Sequence, residues 1–244
     1  YLQMTILLGG SPVFYPLRIE NDLVPTAADI ESKITPRTKV LLLNSPGNPT
    51  GAVIPEHQLR EILAVANKHN IWVISDEVYD EIYFNEPPLS LQPFDEEERV
   101  ISVFSFSKTY AMTGWRVGYL TGPSAIVNHV LRAQEPISSC VNSIAQKAAL
   151  AAITGDQTCV ADMRSAYAKR AKLVTSIFDK QGVQYARPTG AFYTMVDITA
   201  SGMSDIDFVS RMITEKRVAV VPGSAFGPGS GNFVRVSLAS SESD

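Results

Sequence analysis

The stretch SFSKTYAMTGWRVGYL, Ser105 to Leu120, directly follows the apolar run VISVF at residues 100–104. This order predicts a buried strand whose carboxyl end leads into a loop, which is where open α/β sheets bind their ligands. The loop contains four side chains that can react with a ligand or hold it: Lys108, Ser105, Ser107 and Arg116. A lysine amine can form an imine with an aldehyde, and a serine–arginine pair can hold a phosphate. The stretch therefore predicts a site for a ligand that carries an aldehyde and a phosphate.

Pyridoxal phosphate carries both groups, and other positions can supply the further contacts that this cofactor needs. Asp76 follows the apolar run IWVIS, and its carboxylate can pair with a pyridinium nitrogen and keep the ring an electron sink. The Tyr79 hydroxyl and the Asn48 amide can donate hydrogen bonds to the phenolate oxygen of the ring. Arg235, within NFVRVS, offers a planar fork for an α-carboxylate.

Each of these residues also has an ordinary structural interpretation. Most lysines are solvated surface charges, and an Asp at a strand end most often caps a helix. Arg116 could form a surface salt bridge, Tyr79 could be a packed aromatic residue, and Arg235 taken alone would face solvent. The functional interpretation therefore depends on all of these residues occurring together.

Length and composition narrow the class of protein. The chain has 244 residues, 45% of them hydrophobic, with a net charge of −4, which suffices for one sizeable core or for one domain and part of a second. No apolar run approaches the roughly 18 residues of a membrane span, and the absence of a basic block argues against nucleic acid as a partner. Cys140 and Cys159 form no CxxC pair, so neither a metal site nor a disulfide framework is predicted. A reducing, cytoplasmic location fits best.

The first two thirds of the chain predict an α/β domain with a mainly parallel sheet, because buried strands alternate with helices. Four runs are predicted as its buried strands: Lys39–Asn44, Ile71–Ser75, Val100–Phe106 and Arg116–Thr121. The remaining predicted elements here are a helix at Tyr1–Leu8, a strand at Ser11–Leu17, and helices at Ala27–Ile34, from Pro55, and in the second half of Pro136–Ile153.

The last third of the chain predicts a smaller α+β domain. An apolar stripe from Val160 to Phe178 indicates a long helix that ends at Gly182. After it come a helix at Ser204–Thr214 and four short strands: Val183–Ala186, Ala191–Ile198, Val218–Val221 and Phe233–Leu238. We therefore expect a large domain at residues 1–157, an interdomain helix at 158–182 and a small domain at 183–244.

Five motifs occur in one order along the chain: NSPGNPTG, SDEVY, SFSKTYAMTGWRVG, PTGAFY and NFVRVSLA. Together they resemble the class I/II aminotransferases, the fold-type I enzymes that use pyridoxal phosphate, with the aspartate and aromatic branch nearest. The resemblance covers essentially all 244 residues. It implies a homodimer that transfers an amino group from an L-amino acid to a 2-oxo acid by a ping-pong route.

The resemblance also implies a role for each site residue. Lys108 would form the internal aldimine and move the α-proton, and Asp76 would bind the pyridine nitrogen. Asn48 and Tyr79 would contact the ring oxygen. Ser105, Ser107 and Arg116 would hold the phosphate, and Arg235, with Asn48, would bind the substrate carboxylate. The resemblance further implies a cis peptide bond between Asn48 and Pro49.

Relatives of this kind usually exceed about 350 residues, so the sequence is expected to be a fragment that lacks parts of the site at its N-terminus and a terminal helix after SSESD. Two other functions stay open. A lyase that eliminates a β-substituent needs the same lysine, aspartate and arginines. A transcription regulator can carry such a domain as a cofactor sensor behind a DNA-binding domain.

Overall fold

The computed structural model describes residues 1–241 of the chain. Within that range the α-helices are α1 (Leu2–Leu7), α2 (Ala27–Glu31), α3 (Glu56–Lys68), α4 (Phe106–Thr109), α5 (Ser124–Ser138), α6 (Ser143–Thr154), α7 (Thr158–Gln181) and α8 (Asp205–Lys216). The strands are β1 (Val40–Asn44), β2 (Trp72–Asp76), β3 (Val100–Ser105), β4 (Gly118–Thr121), β5 (Tyr193–Asp197), β6 (Val221–Pro222) and β7 (Phe233–Ser237). None of these helices is both long enough and apolar enough to span a membrane. The last three residues of the predicted small domain lie outside the described range.

The larger sheet has the strand order β1-β2-β3-β4. Strands β1, β2 and β3 run parallel, and β4 runs antiparallel to β3. The predicted α/β class with a mainly parallel sheet is therefore confirmed. Helix α3 packs against this sheet, and its residues Leu59, Ile62 and Leu63 share one core with Leu43 and Val73 of the strands. This packing explains why the strand sequences are apolar. Covering of this kind selects continuous apolar strands.

The predicted strand at Ser11–Leu17 is wrong, because this segment has no regular secondary structure and pairs with no strand among residues 1–241. Pro12 and Pro16 each lack a backbone N–H, and proline removes hydrogen bonds that a strand needs. The segment still touches the sheet through a side chain. The hydroxyl of Tyr15 donates to the carbonyl oxygen of Leu42 at 3.1 Å, so it satisfies an acceptor of β1, the edge strand.

One further expectation needs correction. The strand predicted from Arg116 begins at Gly118, and it is exposed at its first half instead of buried. The helix predicted in the second half of Pro136–Ile153 is confirmed as α6, whereas α5, which lies mostly before Pro136, was not predicted. None of the residues of α5 is buried in this chain.

The smaller sheet has the order β5-β7-β6, and its pairs are antiparallel. Helices α7 and α8 pack against it through Phe178 and Phe208, so the smaller α+β unit is confirmed. The strand predicted at Val183–Ala186 is only a bridge between Tyr185 and Val196, since the segment is confined between the helix end and Pro188. The strand predicted from Val218 begins at its last predicted residue and covers only β6. The exact domain boundaries stay a prediction.

Candidate active site

Three polar side chains end three neighbouring strands of the larger sheet. Asn44 ends β1, Asp76 ends β2 and Ser105 ends β3. In the strand register Asn44 lies opposite Asp76, and Asp76 lies opposite Val103, two residues before Ser105. Because the strands are parallel, their polar ends meet at one edge of the sheet. This edge is the one that the sequence predicted.

Asn44 joins the first two of these strand ends to the loop that follows β1. Its Nδ2 donates to the carbonyl oxygen of Asp76 at 2.9 Å, and its Oδ1 accepts from the backbone N–H of Asn48 at 2.8 Å. The peptide bond between Asn48 and Pro49 is cis, as the resemblance implied. The backbone of Asn48 is thus hydrogen-bonded to the last residue of β1.

The Asp76 carboxylate has two partners in this structure. Its Oδ1 accepts from the backbone N–H of Val78 at 3.1 Å, and its Oδ2 accepts from the hydroxyl of Tyr1 at 2.5 Å. The first bond closes a local turn, and no helix follows Asp76, so its structural interpretation as a helix cap is wrong. The second bond shows that Oδ2 is directed at a hydrogen-bond donor located beyond the strand end.

Lys108 lies in the short helix α4, which begins directly after β3. Ser105 is its N-cap residue, and the Oγ of Ser105 accepts from the backbone N–H of Ser107 at 3.1 Å. Ser107 and Thr109 are buried on either side of the half-buried Lys108. The hydroxyl of Thr109 donates to Oδ1 of Asp80 at 3.0 Å, so the turn that carries the lysine is bonded to the loop after β2.

Asp80 is an unusual carboxyl group in this arrangement. Burial raises its pKa to about 6, while the hydrogen bond from Thr109 acts in the opposite direction. The neighbouring carboxylates of Glu81 and Glu77 also raise this pKa. Asp80 was not among the predicted site residues, because nothing in the order of the chain places it beside Thr109.

Arg116 lies next to the same end of the sheet but makes only a local contact. The N–H of Phe106 donates to the carbonyl oxygen of Val117 at 3.3 Å, which brings the residue after Ser105 beside the one after Arg116. Arg116 is exposed, and its Nη1 donates to the carbonyl oxygen of Thr113 at 2.9 Å. It forms no salt bridge among residues 1–241. The structural interpretation of Arg116 as a salt-bridge residue is therefore wrong.

Aromatic rings connect the lysine to the smaller sheet. The Nζ of Lys108 lies 5.8 Å from the ring centroid of Phe192. Tyr79 meets Phe192 and Tyr193 edge to face, with centroid distances of 5.4 and 6.0 Å. Burial raises the pKa of Tyr79, and a hydrogen bond with Tyr193 raises it further, so the Tyr79 hydroxyl keeps its proton at neutral pH and can donate it in a hydrogen bond.

Arg235 does not face solvent, as it would if taken alone, but reaches into this group of side chains. Its Nη1 donates to Oδ1 of Asn48 at 2.9 Å, which joins the smaller sheet to the larger one. Its guanidinium carbon lies 4.3 Å from the ring centroid of Tyr193. The Nε atom of Arg235 is buried and has no hydrogen-bond partner among the described residues. A buried donor without a partner is costly, so this edge of the guanidinium is suited to an anionic ligand.

The structure thus brings seven of the predicted residues to one end of the larger sheet, in two groups. Contacts and strand register link Asn48, Asp76, Tyr79, Lys108 and Arg235 around the aromatic rings, while Ser105 and Ser107 cap the lysine turn. Arg116 lies beside them, and among the described residues its side chain hydrogen-bonds only to Thr113. Sequence reasoning missed four residues that hold the group together: Asn44, Asp80, Phe192 and Tyr193. Asn44, Phe192 and Tyr193 lie inside the quoted motifs, and this is the only feature of the sequence that could have identified them.

Comparison with known proteins identifies the family. The sequence matches the family Aminotransferase class I and II over residues 1–244. Aromatic-amino-acid aminotransferase 2 of Thermococcus litoralis is 38% identical over 243 residues, which are 98% of this chain and 62% of that protein. The aspartate aminotransferase of Pyrococcus abyssi is 39% identical over 243 residues, with the same coverage of 98% and 62%.

A solved structure is similar over nearly the whole chain. The aromatic aminotransferase from Pyrococcus horikoshii OT3 has a TM-score of 0.94 and 38% sequence identity, and the match covers 97% of this chain and 65% of that one. The chain spans about three fifths of the length of the curated relatives it matches, because the match covers 62% of each of the two relatives quoted above. The fold, the motif order and these matches agree, and the chain belongs to the class I and II aminotransferase family.

Proposed function

We propose that the protein to which this chain belongs is an aminotransferase that uses pyridoxal phosphate and moves an amino group from an L-amino acid to a 2-oxo acid by a ping-pong route. One observation carries the proposal: a single contact network joins the Lys108 amine to the Arg235 guanidinium across two sheets. The amine is the group that reacts with an aldehyde, and the guanidinium is the group that binds a carboxylate. The names of the relatives support transfer of an amino group.

The residues present fit pyridoxal phosphate by their chemistry. The Oδ2 of Asp76 already accepts a hydrogen bond from a donor beyond the strand end, as it would from a pyridinium nitrogen. Tyr79 and Asn48 offer donors for the ring oxygen. Ser105, Ser107 and Arg116 offer hydroxyl and guanidinium donors for the phosphate. When bound, the cofactor stabilises the negative charge that develops at the α-carbon of the amino acid.

Lys108 has two tasks in this proposal. It holds the cofactor covalently. Once free, its amine takes a proton from the α-carbon of the amino acid and delivers that proton to a different atom. Proton transfer of this kind requires the amine to lie within reach of the α-hydrogen. Lys108 is half-buried, and the ring of Phe192 excludes water on one side of it. The bond between Thr109 and Asp80 keeps the turn in place.

Arg235 binds and orients the amino acid. Its free N–H edge takes the α-carboxylate, while Asn48 holds the other side of the guanidinium. Orientation matters because the α-hydrogen must lie within reach of the Lys108 amine. The hydroxyl of Tyr79 stays protonated across the neutral pH range, so it remains a hydrogen-bond donor.

The proposal includes a homodimer in the cytoplasm. Large apolar side chains are exposed on α1 and around the α5–α6 junction: Leu7, Leu8, Ile137 and Ile144. Exposed apolar surface of this extent is typical of surfaces that other parts of a protein cover. Cys140 and Cys159 are free, which fits a reducing compartment.

Borohydride reduction of the cofactor-loaded protein, followed by peptide mapping, tests the proposal. We expect the label on Lys108. A label on the exposed Lys147 or Lys172 would contradict the site. Product analysis then tests the reaction: a transaminase forms a new amino acid from an added 2-oxo acid, whereas release of ammonia and pyruvate would indicate a lyase.

A further inference from the structure

The guanidinium of Arg235 lies close to two aromatic rings, one from β5 and one from the turn that follows β6. Its central carbon is 4.3 Å from the ring centroid of Tyr193, in β5, and 4.9 Å from that of Phe226, which follows β6. Both distances are within the roughly 6 Å at which a cation is attracted to an aromatic face. Tyr193 belongs to one of the quoted motifs, but Phe226 belongs to none of them.

The position of Phe226 is set by its own turn. Residues Gly223–Phe226 form one turn of 3-10 helix. The backbone N–H of Ser224 donates to Oδ2 of the buried Asp205 at 2.8 Å, which bonds this turn to the start of α8. The hydroxyl of Ser230 donates to the carbonyl oxygen of Gly223 at 2.7 Å. A side chain at Gly223 would place its Cβ 2.0 Å from the carbonyl oxygen of Ser230, so the turn requires glycine there.

The remaining contacts of Arg235 leave one edge of the guanidinium for a ligand. Two rings lie against the group, and Asn48 occupies Nη1. The Nε atom is buried without a partner among the described residues. A free arginine side chain has many rotamers, and ordering them on binding weakens affinity. Holding the guanidinium before the ligand arrives removes that loss.

We propose that Phe226 is a positioning residue that holds Arg235 so that its free N–H edge is presented to the substrate carboxylate. The inference rests on the proposed function, because it takes Arg235 as the carboxylate site. The ring of Phe226 lies against the Arg235 guanidinium, through which it would act. Its loss should therefore weaken carboxylate binding and raise KM, while covalent attachment at Lys108 stays intact.

The test measures binding without turnover in the whole, cofactor-loaded protein. The probe is maleate, a dicarboxylate that has no amino group to transfer, and its Kd is measured by calorimetry. We expect about 10-fold weaker binding for Phe226→Ala and about 3-fold for Phe226→Leu, and near-normal binding for Phe226→Tyr, which keeps the ring. Phe208→Leu is the matched control, because this aromatic residue packs on the smaller sheet through α8.

A double-mutant cycle separates positioning from general destabilisation. If Phe226 acts through Arg235, its substitution has no further effect on maleate binding in an Arg235→Met background. The proposal is overturned if the Kd for maleate is unchanged in Phe226→Leu, or if the substitution weakens binding equally in the wild-type and Arg235→Met backgrounds. It is also overturned if the wild-type protein does not bind maleate. The Leu variant decides if the Ala variant does not fold. The borohydride experiment tests the proposed function separately. If Lys108 is not labelled but Phe226→Leu still weakens maleate binding, the catalytic proposal is contradicted and the proposal for Phe226 stands.

Discussion

The two halves of the candidate site are built in different ways. The parallel-sheet half comprises Asn44, Asp76, Ser105 and Lys108, which lie at or just past the carboxyl ends of parallel strands. The small-sheet half comprises Tyr193, Phe226 and Arg235, and Arg235, the proposed carboxylate-binding residue, is in the middle of an antiparallel strand. In the first half the ends of the strands place the side chains. In the second half the neighbours across the sheet place them.

The difference decides how each half tolerates change. Side chains at strand ends depend on the loops and hydrogen bonds that follow the strands, so polar contacts dominate there. A side chain in the middle of a strand depends on packing with diagonal neighbours on the same face of the sheet. We therefore expect chemical steps to be sensitive in the parallel-sheet half and binding to be sensitive in the small-sheet half.

The largest effect should come from Lys108→Ala. Loss of the amine removes both covalent attachment and proton transfer, so turnover should fall by at least about 10³-fold. Steady-state transamination by the whole protein measures it. Lys147→Ala removes an exposed lysine of α6 and is the control. Activity within 10-fold of wild type in Lys108→Ala would contradict the assignment of the chemistry to the parallel-sheet half.

Arg235→Lys tests the small-sheet half. Lysine keeps the charge but loses the planar fork, so kcat/KM should fall by about 10- to 100-fold, mainly through KM. Borohydride labelling of Lys108 should be unchanged, which would separate binding from chemistry. Arg217→Lys, at an exposed position after α8, is the control. A fall in kcat alone would show that the two halves do not divide the work in this way.

Ser102→Ala tests the polar contacts beneath the parallel-sheet half. The fully buried hydroxyl of Ser102 donates to Oε1 of Glu77 at 2.8 Å, and Ser90 donates to the same atom at 3.1 Å. Removing one donor from a buried carboxylate should lower the free energy of unfolding by about 2 kcal/mol. Chemical denaturation measures the loss. Ser210→Ala, exposed on α8, should change stability by less than about 0.5 kcal/mol. Equal effects of the two substitutions would refute a dependence on the buried bond.

The smallest effect concerns Asp80 and pH. The pKa of Asp80 is raised from 3.8 to about 6 in the folded state, so the folded protein binds more protons between these values. Its contribution to stability is present below about pH 4 and is lost as the pH rises through 6. Asn keeps an acceptor for Thr109 without the buried charge.

Asp80→Asn should therefore raise the free energy of unfolding by about 1 kcal/mol at pH 8 relative to wild type, with less gain at pH 4. Denaturation at both pH values measures this difference. Asp162→Asn, exposed on α7, should show no such pH dependence. A gain for Asp80→Asn that is equal at both pH values would mean that the carboxyl group does not titrate in this range.

The sequence by itself determined the parallel strands of the larger sheet and which polar side chains lie at its edge. Continuous apolar runs followed by turn residues mark buried parallel strands, because such strands are covered on both faces. A reactive side chain directly after such a run must then lie at the ligand-binding edge, as Lys108 and Asp76 do. The prediction failed at Ser11–Leu17, where two prolines outweigh the strand-like pattern.

Only the tertiary structure decided which residues meet across the two sheets. Asn48 and Arg235 are 187 residues apart in the chain and share a hydrogen bond, and Asp80 meets Thr109 across 29 residues. Phe226 reaches Arg235 because a buried Asp205 holds its turn. Periodicity reports which face of an element is buried, but it does not report what that face contacts. Long-range contacts of this kind depend on how the elements pack, so no local pattern carries them.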